Sequence, residues 1–538
     1  MMMGTPLTMP QMIERAEKFF PKKEVVSRTD GGITRLTYKE IAERTRRLAG
    51  SLEKLGVRRG DKVGTLAWNH HRHLEAYFAI PCSGAVLHTI NIRLSPQHIS
   101  YIVNHAEDQV LLLDADMIPL LEKCRKDLDK VKAFVIMTDH DTLPQTSLSP
   151  VYHYEELIES GDPGYEYPDL PEEAPAGMCY TSATTGNPKG VVYTHRSIFL
   201  HSLALGLADT TAISEKDVAM PVVPMFHVNA WGFPFAGVWF GSTIVLPGPH
   251  FTPKILLELI EQERVTFSAA VPTIWLGVLK ELERGNYDVS SLRGILCGGA
   301  PVPKELIRRF EQDYGIPFFQ GYGMTETSPV VLISKLKSYQ SGLPYEEQLE
   351  IRAKQGLLVP GVEMKVVGEN GEVAWNGKEM GELVLRGPWI ASEYYRDERT
   401  AESFIDGWLY TGDVATVDEE GYVKIVDRTK DLIKSGGEWI SSVDLENALM
   451  AHEAVFEAAV VAVPDEKWQE RPVACVVLKE NGTATEEELL EFLRPQFAKW
   501  WLPDKILFLD EIPKTSVGKF LKRALREQVR KLLEKQER

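Results

Sequence analysis

At 538 residues the chain is too long for one compact core, so two or more domains are expected, and 44% apolar with 25% charged residues is a globular composition that leaves no case for disorder. A formal net charge of -17 argues against a nucleic-acid binder, whose affinity rests on Lys and Arg neutralising phosphates, so an anionic ligand must meet locally concentrated positive charge. The widely spaced cysteines (Cys82, Cys124, Cys179, Cys297, Cys475) include no C-x-x-C pair, which suits reduced, buried thiols in a cytosolic protein.

In chain order, Met1 to Met12 has neither a basic nor an apolar leader region, so no signal peptide is expected. Tyr38 to Leu55 repeats apolar residues at helical spacing, Lys62 to Ala67 reads as a strand and Leu74 to Ile80 as a helix. His70, His71 and His73 lack the H-E-x-x-H spacing of a zinc helix and fit a strand-to-helix turn. Val110 to Leu113 is a short buried strand, and Ile118 to Leu128 reads as the next helix. This alternation predicts parallel sheets covered by helices. Ser147 to Gly177, rich in Pro, Gly and acids, reads as an exposed connection.

That connection leads into Tyr180-Thr181-Ser182-Ala183-Thr184-Thr185-Gly186-Asn187-Pro188-Lys189-Gly190-Val191, between a strand end at Met178 to Tyr180 and a second apolar run at Gly190 to Tyr193. Turn amides, hydroxyls and the Lys189 ammonium all donate to anionic oxygens, so the stretch reads as a phosphate loop. Lys189 stands between Pro188 and Gly190, unlike the lysine of the common NTPase loop. Taken alone, such a turn would serve equally as a solvated loop.

From Val218 to Leu257 there is no carboxylate, but Pro221, Pro224, Pro234, Pro247 and Pro249 break any membrane span, and buried strands beside a substrate wall fit better. Among its aromatics, Phe233, Phe235 and Trp239 read as core. Cys297-Gly298-Gly299-Ala300-Pro301 follows a strand-like run, and its missing side chains let a flat base or an acyl chain approach the backbone. Gly381 to Lys424 suggests short antiparallel strands, and the charged run Asp427 to Leu432 has the polarity of a solvent-exposed hinge. Leu521, Leu525, Val529 and Leu532 form one stripe on a basic helix, expected to dock on its own domain, with weak membrane contact as the alternative.

The ordered motifs Y-T-S-A-T-T-G-x-P-K-G (from Tyr180), G-Y-G-M-T-E (Gly321 to Glu326), Y-T-G-D (Tyr410 to Asp413), D-R-T-K-D-x-I-K-S-G-G-E (Asp427 to Glu438) and P-K-T-x-x-G-K (Pro513 to Lys519) resemble the adenylate-forming acyl-CoA synthetase superfamily. F-H-V-N-A-W (Phe226 to Trp231) and the run Ser435 to Asn447 resemble its fatty-acyl-CoA ligase branch. The resemblance implies an α/β fold in which residues 1–427 form a large domain of two parallel-rich sheets packed with helices plus a small β-barrel-like part. A hinge at 428–433 and a small mobile α+β domain at 434–538 follow.

It further implies an AMP-forming acid–thiol ligase, using ATP, Mg²⁺ and coenzyme A in two half-reactions to convert a medium- to long-chain fatty acid into its acyl-CoA. The alternatives are a short, branched, aromatic or thioether acid such as a methylthio-alkanoate, or a nucleotide-gated acyl-binding protein without turnover. Carried onto this sequence, Thr181, Ser182, Thr184, Thr185, Gly186 and Lys189 would bind phosphate, and Gly299, Ala300, Gln320, Gly321 and Tyr322 would line the purine pocket. Thr325 would contact the α-phosphate, Asp413 the ribose with help from Arg428, and Lys434 and Trp439 would approach the nucleotide. Glu326 and Thr181 would hold magnesium, since that ion prefers hard oxygens. His227, Val228, Trp231 and Gly298 would line the acyl site, and Ser435, Gly436 and Gly437 would face CoA. Lys519 would neutralise charge during adenylation, with Lys430 as the pivot that withdraws it. Ala183 stands where the family usually has glycine, at about 1 kcal/mol or more if the loop needs positive φ there. A cytoplasmic homodimer is also implied, with small-molecule partners, no nucleic acid and no transmembrane segment.

Overall fold

The computed structural model describes residues 1–181, 187–435, 438–465, 467–480, 482–515 and 520–536. Two parallel-rich sheets dominate. In the first, strands run in the order Val151–His153, Ala133–Met137, Asp108–Asp114, Lys62–Leu66, Val86–Thr89, Pro175–Tyr180, Gly190–Thr194, all parallel except the last pair. The second has a parallel middle from Phe318–Gly323 through Gly294–Gly298, Phe267–Ala270, Val218–Pro221 and Thr243–Leu246 to Glu24–Thr29, with antiparallel strands at both edges. These strands are short, nearly continuous apolar runs because helices cover them. One core unites both sheets, from Met9 and Tyr38 through Leu87 and Val191 to Phe233, Phe235, Trp239 and Leu296. The aromatics read as core are thus packed there.

A third, antiparallel sheet contains Glu363–Gly368, Gly381–Arg386, Trp408–Val417 and Val423–Arg428. The last sheet holds Ile433–Ser435, Glu438–Ile440, Val455–Asp465, Gln469–Leu478 and Lys505–Phe508, flanked by helices Ser442–Met450, Glu486–Leu493 and Lys522–Gln536. Leu525 and Val529 of the final helix pack fully buried against Ala459 and Val461, so its apolar stripe is spent inside the domain.

Two expectations are corrected. The helix read over Ile118 to Leu128 is Ile118–Glu122 followed by a short 3₁₀ turn, Arg125–Asp127. The Asn104 side chain takes the Asp127 carbonyl and the Asp129 N–H, diverting the backbone from a longer helix. Ser147 to Gly177 is more than an exposed connection. It carries Val151–His153 and the helix Tyr154–Glu159, whose Tyr154 and Ile158, one helical turn apart, are buried. The histidine run opens the helix His71–Cys82: His70 caps it and pairs with Asp114 at 2.7 Å, while His71 and His73 bond Ser27 and Thr65.

Several contacts tie the last sheet's domain to the rest. Ser441 Oγ donates to Val426 O at 2.8 Å, and Asp427 accepts from the backbone N–H (3.1 Å) and hydroxyl of Ser442, at the start of helix Ser442–Met450. Lys424 pairs with Asp444 at 2.7 Å, and Glu480 meets Lys280 and Arg284 at the rim. All five cysteines are free and buried. Among the described residues no helix is long and apolar enough to cross a membrane.

Candidate active site

The phosphate-loop stretch sits where strand Pro175–Tyr180 turns back into Gly190–Thr194. Thr181 N donates to Lys189 O at 2.9 Å, and Lys189 N donates to Thr181 Oγ1 at 3.2 Å, so the two ends of the loop are stitched together. Ser182, Ala183, Thr184, Thr185 and Gly186 lie outside the described residues. Thr181 and Lys189 face a cavity of roughly 490 Å³ that also receives His227, Val228, Trp231, Gly298, Thr325 and Glu326.

The floor comes from two parallel strands whose ends carry the glycines, Gly294–Gly298 beside Phe318–Gly323. A Cβ on Gly298 would stand 2.5 Å from Gly321 O and 3.5 Å from the Trp231 ring, so the backbones meet only because that position has no side chain. Beyond Gly323 the chain turns through Thr325–Thr327 and buries Glu326 at 4% exposure. A carboxylate so placed needs a partner, and Tyr394 supplies it, its hydroxyl donating to Glu326 Oε1 at 2.7 Å. The Thr325 carbonyl accepts from Tyr193 OH at 2.8 Å.

A second cavity of roughly 330 Å³ adjoins the first, sharing Gly299, Gly321, Tyr322, Arg428 and Lys430 with it. Here Asp413 is buried, accepts from Tyr322 OH at 2.6 Å and pairs with Arg428 Nε at 3.2 Å. The Asp413 charge holds the Arg428 guanidinium above its ordinary pKa. Burial, then the Arg428 charge, lowers the Lys430 ammonium below the usual lysine value, and burial likewise lowers Lys189, with Glu326 opposing. Gln320 and Ala300 line this cavity, but the Gln320 amide donates to the carbonyls of Ala353 and Lys354, each at 2.7 Å. Its side chain is therefore a brace, and the strand it belongs to forms the wall.

Along the first cavity, Val228, Asn229, Ala230 and Trp231 all have positive φ, from 44° to 57°, followed by Gly232 at 81°. This is a left-handed turn, disfavoured by about 1–2 kcal/mol per non-glycine residue. It aims Val228 and Trp231 into the cavity. Nothing in the sequence announces it, because Val, Ala and Trp ordinarily avoid that conformation.

Not every expected residue joins the cleft. Lys434, Ser435 and Trp439 line neither cavity. Lys434 lies over the half-exposed Trp439 ring, 5.3 Å from its centroid, and Ser435 Oγ accepts from Arg471 at 3.0 Å. Gly436, Gly437 and Lys519 lie outside the described residues, although Thr515 and Phe520, on either side of residues 516–519, line the second cavity. Conversely, Tyr394 and Arg399 line the first cavity and were not singled out from sequence. The only signal was a Tyr-Tyr pair ahead of the charged run Arg396 to Arg399.

Two adjoining cavities thus gather Thr181, Lys189 and the buried Glu326 in one and the buried Asp413 in the other. The profile of the AMP-binding enzyme family matches residues 13–395, and that of the AMP-binding enzyme C-terminal domain matches residues 444–519. The chain is 53% identical over 532 residues to a long-chain-fatty-acid–CoA ligase of Thermus thermophilus, covering 98% of this chain and 96% of the relative. It is 44% identical over 534 residues to a 3-methylmercaptopropionyl-CoA ligase of Ruegeria lacuscaerulensis, covering 99% of each. Its fold matches the anthranilate CoA ligase AuaEII in complex with anthranoyl-AMP with a TM-score of 0.87 at 25% identity, over 97% of this chain and 98% of that one. The chain belongs to the AMP-binding enzyme family and is an acid–thiol ligase that makes acyl-CoA through an acyl-adenylate. The reading of a binder without turnover is set aside.

Proposed function

We propose that the acid is a medium- to long-chain fatty acid. The observation carrying this is the wall formed by the apolar side chains of Val228, Trp231, Leu296, Pro329 and Val330. Burying a methylene there is worth about 0.8 kcal/mol, so affinity rises with chain length until the recess is full. A second reading, a short thioether acid, draws on the likeness to the 3-methylmercaptopropionyl-CoA ligase.

In the first half-reaction a carboxylate oxygen attacks the α-phosphorus of ATP and pyrophosphate leaves. In the second the CoA thiol attacks the acyl carbonyl and AMP leaves. Lys189 donates to the phosphates beside the loop and Asp413 accepts from the ribose. Thr325 reaches the α-phosphate, and His227 stands beside the reacting carboxylate. The buried Glu326 carboxylate and the Thr181 hydroxyl, hard oxygens facing one cavity, suit magnesium, which supplies charge neutralisation to the phosphates when bound.

Lys519 would act in the first half-reaction, and Thr515 and Phe520, which precede and follow residues 516–519, line the second cavity. Their position supports reading this orientation as the adenylate-forming one. Residues 1–427 and 434–538 act as two bodies about a hinge at 428–433, with Lys430 as pivot. This is supported by Val423–Arg428 pairing in the third sheet while Ile433–Ser435 pairs in the last. Rotation would bring Ser435 and its following glycines to the cleft for the thioester step. By resemblance, the enzyme works as a homodimer in the cytoplasm.

The test is AMP and pyrophosphate release over straight-chain acids from acetate to palmitate plus a 3-thioether acid, with and without CoA. An optimum at medium or long chains is expected. A sole optimum at the thioether acid would favour the second reading.

A further inference from the structure

Lys189 and Glu326 present opposite charges to one partly desolvated cavity, where such charges attract strongly. Paired with each other, neither would be available to ligand. One residue stands between them. The Lys189 ammonium lies 3.9 Å from the centroid of the Tyr394 ring, and the Tyr394 hydroxyl donates to Glu326 Oε1 at 2.7 Å. A ring face attracts a cation and a phenol donates to a carboxylate, so each charge is satisfied by a neutral partner.

The ring is fixed by the loops it serves. Ala391 N donates to the carbonyl of Glu326 itself, and Tyr395 N donates to the carbonyl of Gly190, the residue after Lys189, both at 2.8 Å. Tyr394 N donates to Thr400 Oγ1 at 3.0 Å, and its ring stands edge-on to Phe404 at 5.1 Å between centroids. Two further carboxylates act on Lys189, Asp397 and Glu402, and Asp397 is already held by Arg399 at 2.8 Å. At 3% exposure Tyr394 is buried among these contacts.

We propose that Tyr394 is a positioning residue that keeps Lys189 and Glu326 from neutralising each other, so that the lysine meets phosphate and the carboxylate meets a divalent ion. The proposal rests on the reading of those two residues given above. It separates two parts of one side chain: the ring serves Lys189 and the hydroxyl serves Glu326.

The test measures ATP binding in EDTA by calorimetry and Mn²⁺ binding in the presence of ATP by electron paramagnetic resonance, on the full chain. Tyr394→Phe is expected to hold metal-free ATP affinity within twofold of wild type, because the ring still holds Lys189, and to weaken Mn²⁺ three- to tenfold, because Glu326 loses the donor that fixes its carboxylate. Tyr394→Leu is expected to weaken both, ATP by fivefold or more. In the Lys189→Ala background, Tyr394→Leu should weaken ATP by less than twofold further, since its partner is gone. Full additivity there, or unchanged Mn²⁺ binding in Tyr394→Phe, would overturn the proposal. If Lys189→Ala and Glu326→Gln themselves leave ATP and Mn²⁺ binding unchanged, the underlying reading of the site falls, a result distinct from additivity.

Discussion

Asp413 shows how much one carboxylate organises. It is buried, takes the Tyr322 hydroxyl on one oxygen and Arg428 on the other, and so fixes three side chains at the second cavity. Asp413→Asn keeps the shape and removes the charge. Hydrogen bonds to charged groups contribute about 1.5–3 kcal/mol, so the KM for ATP should rise roughly 10- to 100-fold, with the KM for the acid nearly unchanged in steady-state kinetics. Asp413 was singled out only through the family resemblance of its Y-T-G-D motif, since T-G-D alone reads as an ordinary turn. Tyr394 was not, since its partners Lys189 and Glu326 lie far from it in sequence and only folding brings them to one ring.

Among the elements, the helix His195–Leu205 hangs from buried histidines that act as acceptors. His195 Nδ1 accepts from Met9 N at 3.3 Å and His201 Nε2 from Val330 N at 3.1 Å. A ring nitrogen that accepts a backbone N–H carries no proton there. Burial lowers His195 to about 4, with Arg59 adding to it, and His201 to about 3. Both folded values lie below the ordinary histidine value of about 6.5, so this stability is complete above that pH and is lost as pH falls toward 4 and 3. At pH 5 each histidine withdraws about 2 kcal/mol, and a fall in Tm between pH 7 and pH 5 by calorimetry checks it. Strands and helices with clear periodicity were read directly from the sequence. The left-handed turn at 228–232 and the helix Tyr154–Glu159 were not, because tertiary burial overrides local preference in both.

For the molecule as a whole, the position of the last domain is set by the bonds that cross to it. Asp427 receives the N–H and hydroxyl of Ser442 from the other side of the proposed hinge. Ser442→Ala removes one of these, so adenylate formation, followed by pyrophosphate release, should slow about three- to tenfold. Conversion of supplied acyl-adenylate to acyl-CoA should not slow. Equal loss in both half-reactions would show that Ser442 has no part in domain orientation.

The buried cysteines bear on a hazard peculiar to this chemistry. An enzyme that holds an activated acyl group and then offers it to a thiol must keep its own sulfurs out of the competition, because the thiolate is the reactive form. Burial pushes Cys82 and Cys297 well above the ordinary thiol value, raises Cys179 to about 11 and Cys475 to about 12, and raises Cys124 as well. Cys297 is one test of this protection. It directly precedes Gly298, proposed above to line the acyl site, and is fully buried, so the same packing that holds the sheet together keeps its sulfur from an acyl-adenylate held there.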